Sequence, residues 1–350
     1  MLMSFRWFGE HDEVTLRRVK QIPGVDGIVS ALHDQRPGAV WPQSALNRLR
    51  DTVNAAGFRL AVIESIPVHE DIKLGRPSRD HLVDAWCTSL TRVAAIGVPV
   101  VCYNFMPVFD WLRTELYAPM NDGSTTMRYD DAALSGMDLS AGMTSLPAWA
   151  DQYDGSTLAT LRIAYREVSA EQLWENLAWF LARVVPVAES VGVKLAIHPD
   201  DPPWPVFGVP RIVVDGAALE RVTALVDSPA NGITFCTGSL GADATNDLPV
   251  MISRLRGRIH FAHCRNVKRS GYRMFEESSH PSRYGDVDMR AVLVALRDSG
   301  FDGPMRPDHG RMIWDETGRP GYGLYDRALG AMYLQGLWEG ITRARGEAEQ

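Results

Sequence analysis

A chain of 350 residues, 45% hydrophobic and 23% charged, has the balance of a soluble globular protein and can bury a large core without staples. Its formal charge of -7, with no long block of lysine and arginine, argues against nucleic acid as a partner, and no apolar run is long enough to span a bilayer. Four cysteines make no disulfide framework, and "MLMSFRWFGEHDE" meets charge before any apolar run, so a reduced, cytoplasmic protein is expected.

Short apolar runs alternate with longer helical patterns. "FRWFG" reads as the first strand, "TLRRVKQI" as a helix and "GIVSAL" as the second strand. "SALNRLRDTVNAAG" is a helix stopped at Gly57, followed by the strand "RLAVIESI". "HLVDAWCTSLTRVAAIG" is a helix ending at Gly97, and "VPVVCYN" is the fourth strand. Residues 105–168 then break the rhythm, being polar, Gly-rich and without clear periodicity. A loop that long is usually functional, and it is read as an insertion after strand four, a lid or a subunit contact. The helix "SAEQLWENLAWFLARVVPVAESVG" opens with a capping box, Ser169 with Gln172. The last strands are "KLAIHPDD", "GITFCTG", "RIHFAHCRNV" and "GPMRPDHG", with the helix "DMRAVLVALRDSG" before the eighth.

Eight near-continuous apolar strands, every gap long enough for a crossover, predict a (β/α)8 TIM barrel. No G-x-G-x-x-G follows an early strand, which counts against an open dinucleotide-binding sheet. One catalytic domain over residues 1–345 is expected, with the long insertion after strand four.

In such a barrel the C-terminal strand ends converge on one mouth. Strands five to eight end at His198, Cys236, His263 and Asp308. Taken singly, Cys236 reads as a small buried hydrophobe, the histidines as satisfied barrel residues and Asp308 as a turn cap. Four such residues at four successive strand ends point instead to a metal site. Two imidazoles, a thiolate and a carboxylate lean towards zinc or iron and also admit manganese. Cys264, next to His263 on a strand, is expected to face the other way.

Several blocks then carry a family resemblance: "FRWFGEHDEVTLRRVKQIPGVDGIV", "ESIPVHEDIKLG", "GVPVVCYNFMPVFDW", "HPDDPPWPVFGVPRIV", "FCTGSLGA", "RIHFAHCRNV", "GDVDM" and "RPDHGR". Together they resemble the mannonate dehydratase family of hexuronate breakdown, over most of the chain. The resemblance implies a xylose-isomerase-like TIM barrel, a Mn2+ or Fe2+ ion, and dehydration of D-mannonate to 2-dehydro-3-deoxy-D-gluconate. It puts the metal ligands on His198, Cys236, His263 and Asp308, and the acid–base pair on His309 and Tyr322. The chain departs from the family pattern around "GYGLYDRALG", where Tyr325 is a second phenol able to compete with Tyr322.

The chemistry suits these residues. Removing a C2 proton beside a carboxylate calls for a Lewis acid and a base, and expelling the C3 hydroxyl calls for an acid. The prolines of "RPDHGR" stiffen the segment that carries Asp308 and His309 together; alternatively, His309 only orients Asp308. Asn104 and Asn266, at strand ends, are candidate binders of sugar hydroxyls, and His69, Lys73, Arg76 and Arg79 after strand three form either a substrate-binding loop that attracts an acidic sugar or a plain solvated one. "GDVDM" is read as a helix cap, by Asp286 or Asp288. The rival activity is a metal-dependent sugar or sugar-acid isomerase or epimerase on the same barrel, which would lose no water. The insertion and the Trp-rich helices lead us to expect a homo-oligomer, a dimer being favoured.

Overall fold

A computed structural model describes residues 1–135 and 155–343 of the chain. Its strands in chain order begin with β1 (Leu2–Arg6), β2 (Gly27–Ser30), β3 (Arg59–Glu64) and β4 (Val100–Tyr103). Next come β5 (Glu115–Pro119), β6 (Thr125–Asp130), β7 (Lys194–Ile197), β8 (Asn231–Cys236) and β9 (Ile259–His263). The last three are β10 (Asn266–Gly271), β11 (Met274–Ser278) and β12 (Pro304–Arg306).

Eight of these close a parallel barrel in the order β1-β12-β9-β8-β7-β4-β3-β2. They are the eight strands expected from the apolar runs. A small cluster of Val29, Ala61, Val62, Val100, Cys102, Ala196 and Phe261 fills the interior. The larger core lies between strands and helices. Cys264 belongs to that outer core, as alternation from His263 requires.

The helix signals hold as well. The helices Gln43–Ala55 and Arg79–Ala95 stop just before Gly57 and Gly97, whose φ values of 79° and 80° suit a residue without a side chain. Ser169 caps the helix Ala170–Val191, its hydroxyl accepting from the Gln172 amide at 3.1 Å. Asp288, and not Asp286, caps Met289–Asp298.

The insertion differs from its expected irregularity. Residues 136–154 of it lie outside the described residues, as do the last two of the expected domain 1–345. The rest carries β5, β6 and the helix Gly155–Arg166. β5 and β6 join a second hairpin, β10 and β11, in a four-stranded antiparallel sheet ordered β10-β11-β6-β5. Within "RIHFAHCRNV", β9 ends at His263 as expected, and the residues after it open a further strand, β10 from Asn266, already in the small sheet. Neither hairpin buries a face by itself, so the pattern of each alone is weak.

β12 is short because Pro304 opens it and Pro307 follows it. Asp308 then takes φ = 55°, a left-handed conformation that Asp tolerates better than most residues. The turn breaks strand alternation, and the adjacent side chains of Asp308 and His309 both line the cavity at the barrel mouth.

Candidate active site

His198, Cys236 and His263 stand at the ends of β7, β8 and β9, with ligand-type atoms all within 4.8 Å of one another. Asp308 completes the ring from the end of β12, its Oδ2 lying 3.7 Å from both Cys236 Sγ and His263 Nδ1. The four residues predicted from strand ends are thus brought together.

Their surroundings orient them. His198 Nδ1 lies 2.6 Å from the Pro199 carbonyl and donates to it, which fixes the ring orientation. The buried His263 Nδ1 makes no hydrogen bond, an expensive state for a polar atom unless something else meets it. Asp308 accepts from Arg265 Nε at 2.7 Å and pairs with Arg306 Nη2 at 2.7 Å. Burial disfavours its charge, but the Arg306 guanidinium and its other cationic neighbours hold the carboxyl well below the usual range. Burial and Arg306 hold His263 neutral. At His198 burial opposes protonation, yet Cys236, Asp308 and Glu64 together push its pKa up to about 9. Two imidazoles, a thiolate and a carboxylate converge with an orphaned nitrogen among them, and this donor set fits a divalent transition-metal ion.

Beside it stands the second expected pair. His309 Nε2 is 2.9 Å from the Tyr322 hydroxyl, and His309 Nδ1 is 3.2 Å from Glu277 Oε1. Burial pushes the Tyr322 phenol up to about 12. Trp111 and Phe8 flank the pair, ring centroids 5.2 Å from His309 and 4.7 Å from Tyr322. Tyr325 is 41% exposed and packs on Trp314, away from this cavity.

A cavity of about 140 Å3 opens onto both groups. Several of its buried polar atoms have no partner: Arg6 Nε, Arg306 Nη1, Tyr103 Oη and Trp111 Nε1. Glu64 pairs with Arg306 (3.0 Å) and also with Arg6 (3.1 Å). Burial would raise its pKa, but the Arg306 and Arg6 guanidinium groups bring it down to about 2. The lining mixes the cationic Arg6, Lys73 and Arg306 with several carboxyl groups, a set of donors and acceptors that suits a polyhydroxylated ligand.

The three weaker candidates part company. Asn104 lines the cavity, its Oδ1 accepting from the Met106 amide at 3.2 Å. His69 caps the short helix Glu70–Lys73 and lines a separate recess beside Trp86. Asn266 is fully buried, its amide spent on the His280 and Pro281 carbonyls and the Val287 amide. In the loop after β3, Lys73 lines the cavity but is held by Glu70 (2.7 Å), while Arg76 pairs with Asp71.

Sequence reading did not single out a buried layer beneath the mouth. Arg113 binds Asp201 through two bonds of 2.8 and 3.1 Å and Glu277 at 2.6 Å. Arg265 binds Asp201, Glu277 and Asp308, each at 2.7 Å. The one signal for Glu277 was the hairpin "VKRSGYRMFEES", with Ser-Gly at its turn.

Comparison with known proteins bears on this geometry. A family model described as D-mannonate dehydratase (UxuA) matches residues 1–348. The chain is 52% identical over 344 residues to mannonate dehydratase 2 of Halalkalibacterium halodurans, covering 98% of this chain and 100% of that protein. It is 51% identical over 347 residues to the mannonate dehydratase of Streptococcus uberis, covering 98% and 99%. The crystal structure of mannonate dehydratase from Streptococcus suis serotype 2 superposes with a TM-score of 0.93 at 47% identity, covering 100% of this chain and 97% of that one. A D-tagatose 3-epimerase-like protein superposes with a TM-score of 0.58 at 12% identity, covering 98% and 99%, a likeness of fold alone.

Proposed function

This chain belongs to the D-mannonate dehydratase family, and we propose that it works through His309 and Tyr322 beside a divalent ion held by His198, Cys236, His263 and Asp308. Its activity is the conversion of D-mannonate to 2-dehydro-3-deoxy-D-gluconate and water, a step of hexuronate breakdown. The observation that carries the residue assignment is adjacency: His198 and Asp308, which stand against Cys236 and His263, line one cavity together with the His309–Tyr322 pair.

A base of the pair takes the C2 proton, and an acid of the pair protonates the C3 hydroxyl, which leaves as water. The enol left across C2 and C3 tautomerises to the 2-keto, 3-deoxy acid. Because His309 and Tyr322 share a hydrogen bond, a proton taken by one can pass to the other, and the pair ends the cycle unchanged. When bound, the divalent ion supplies Lewis-acid stabilisation of the charge that develops next to the carboxylate. Arg6, Arg306, Tyr103 and Trp111 carry the unpaired donors that suit the hydroxyls and carboxylate of a sugar acid, with Asn104 beside them.

Manganese or ferrous ion, one per subunit, is the ion of this reading, since a mixed N, S and O donor set accepts either. A homo-oligomer, most simply a dimer, is supported by the exposed stripe of Tyr325, Leu329 and Met332 with Trp314 beside it. No helix among the described residues is long and apolar enough to cross a membrane, and a cytoplasmic setting belongs to the same reading.

The test is product formation by metal-stripped protein given D-mannonate, with and without Mn2+ or Fe2+, alongside His309→Asn. Keto-acid that requires metal and disappears in the variant supports the assignment. Metal-independent turnover, or an active His309→Asn, defeats it.

A further inference from the structure

Glu277 has no part in the chemistry derived above, yet among the described residues it is one of the most completely buried charges. It sits on β11, 0% exposed, in the small sheet built from two distant hairpins. Arg113 Nη2 (2.6 Å) and Arg265 Nη1 (2.7 Å to each oxygen) grip its carboxylate. The strand itself is fixed, the Thr126 hydroxyl on β6 donating to the Glu277 carbonyl at 2.7 Å. Such a carboxylate has no freedom to turn away. Its Oε1 faces His309 Nδ1 at 3.2 Å.

A carboxylate only accepts, so that contact requires the proton of neutral His309 to be on Nδ1. Nε2 is then a lone pair, which accepts the Tyr322 hydroxyl at 2.9 Å. Without the carboxylate the imidazole could hold its proton on Nε2 and face Tyr322 donor to donor. Arg265 extends the arrangement, since the guanidinium that holds Glu277 also holds Asp308 through Nε.

We propose that Glu277 is a positioning residue for the dehydration, selecting the Nδ1–H tautomer and ring orientation of His309, so that the small sheet is part of the catalytic apparatus. This rests on the assignment of His309 and Tyr322 to proton transfer. An orienting carboxylate behind a catalytic imidazole is a recurrent solution because the wrong tautomer cannot accept a proton where the reaction needs it.

Two measurements test it. In Glu277→Gln the amide oxygen can still reach Nδ1, but the charge and the firm grip of both arginines are lost. The expected result is a fall in kcat of tenfold or more, with the KM for D-mannonate and the affinity for Mn2+ within threefold of the parent protein. General structural damage would move all three. A kcat within threefold of the parent overturns the proposal, as does a loss shared equally by KM and metal affinity. The second measurement needs no variant at position 277: protein labelled with 15N at histidine and loaded with diamagnetic zinc, the His309 signals identified by their loss in His309→Asn. A pyrrole-type Nδ1 and a pyridine-type Nε2 are expected; the reverse overturns the tautomer assignment even if Glu277→Gln fails to fold. Parent protein inactive on D-mannonate would count against the functional reading, while the nitrogen spectrum would still judge Glu277.

Discussion

Removing one oxygen, in Tyr322→Phe, separates chemistry from fold at this site. The hydroxyl makes a single hydrogen bond of 2.9 Å, to His309 Nε2. The ring keeps its edge-on packing against Phe8 (4.7 Å, 83°) and His309 (4.8 Å, 79°). Losing one buried hydrogen bond costs about 1 kcal/mol of stability, so the variant folds. If Tyr322 moves a proton in the reaction, kcat falls by about 10²–10⁴. At roughly 1.4 kcal/mol per decade, that is about 3–5 kcal/mol on the barrier, well beyond the stability effect. Its oxygen is not among the four converging donors, so Mn2+ affinity stays the same. The assay is keto-acid formation from D-mannonate under saturating substrate, with a urea midpoint recorded on the same sample. Tyr325→Phe is the control: this phenol is 41% exposed and packs only on Trp314 among rings, so its loss leaves kcat unchanged. A Tyr322→Phe enzyme within threefold of the parent kcat would refute the assignment.

Other consequences can be checked separately. Metal binding needs neutral His198, whose pKa stands at about 9 in the metal-free protein, so Mn2+ affinity should rise by about tenfold per pH unit from pH 7 towards 9; calorimetric titration showing a flat affinity would remove His198 from the ligand set. Gly238 approaches Arg265 so closely that an added Cβ would stand 2.3 Å from the Arg265 Cζ. Gly238→Ala should therefore push Arg265 off Asp308, costing about 1–3 kcal/mol of stability and at least tenfold in Mn2+ affinity; parent-like metal binding would show that Arg265 does not hold that ligand. Burial lowers the His260 pKa from 6.5 to about 4, so the unfolded chain takes up a proton that the folded chain refuses. Stability is then fully present above about pH 6.5 and declines as pH falls towards 4, this group accounting for about 2 kcal/mol at pH 5. Urea midpoints at pH 7 and pH 5 should differ less in His260→Gln than in the parent; equal differences would exclude the histidine as the cause.

Much of the molecule could be read without coordinates. The barrel strands are buried on both faces, so each announces itself as an apolar run bounded by Gly, Pro or a helix cap. Closure of the barrel then brings strand ends together by symmetry, which is why His198, Cys236, His263 and Asp308 could be grouped from positions far apart in the chain. His309 and Tyr322 rested on family resemblance, and Tyr325 stood as a rival until their environments were compared. Position at a strand end was a poor guide at Asn266, whose amide serves the backbone, and a charged loop was a poor guide at His69, which caps a helix over another recess.

What the sequence determined by itself is the periodic part: eight buried strands, their helices, and the donors that a closed barrel must gather at one rim. The tertiary structure alone decided the layer beneath that rim. Glu277 shares the buried face of β11 with Phe275, against the ordinary rule that a charged residue marks the solvent side of a strand. It can be there because Arg113, beside β5, and Arg265, after β9, both pair with it. Burying a carboxylate is tolerable only when such partners arrive together. That meeting depends on two hairpins from distant parts of the chain pairing into one sheet, and pairing of that range leaves no periodic trace in either segment.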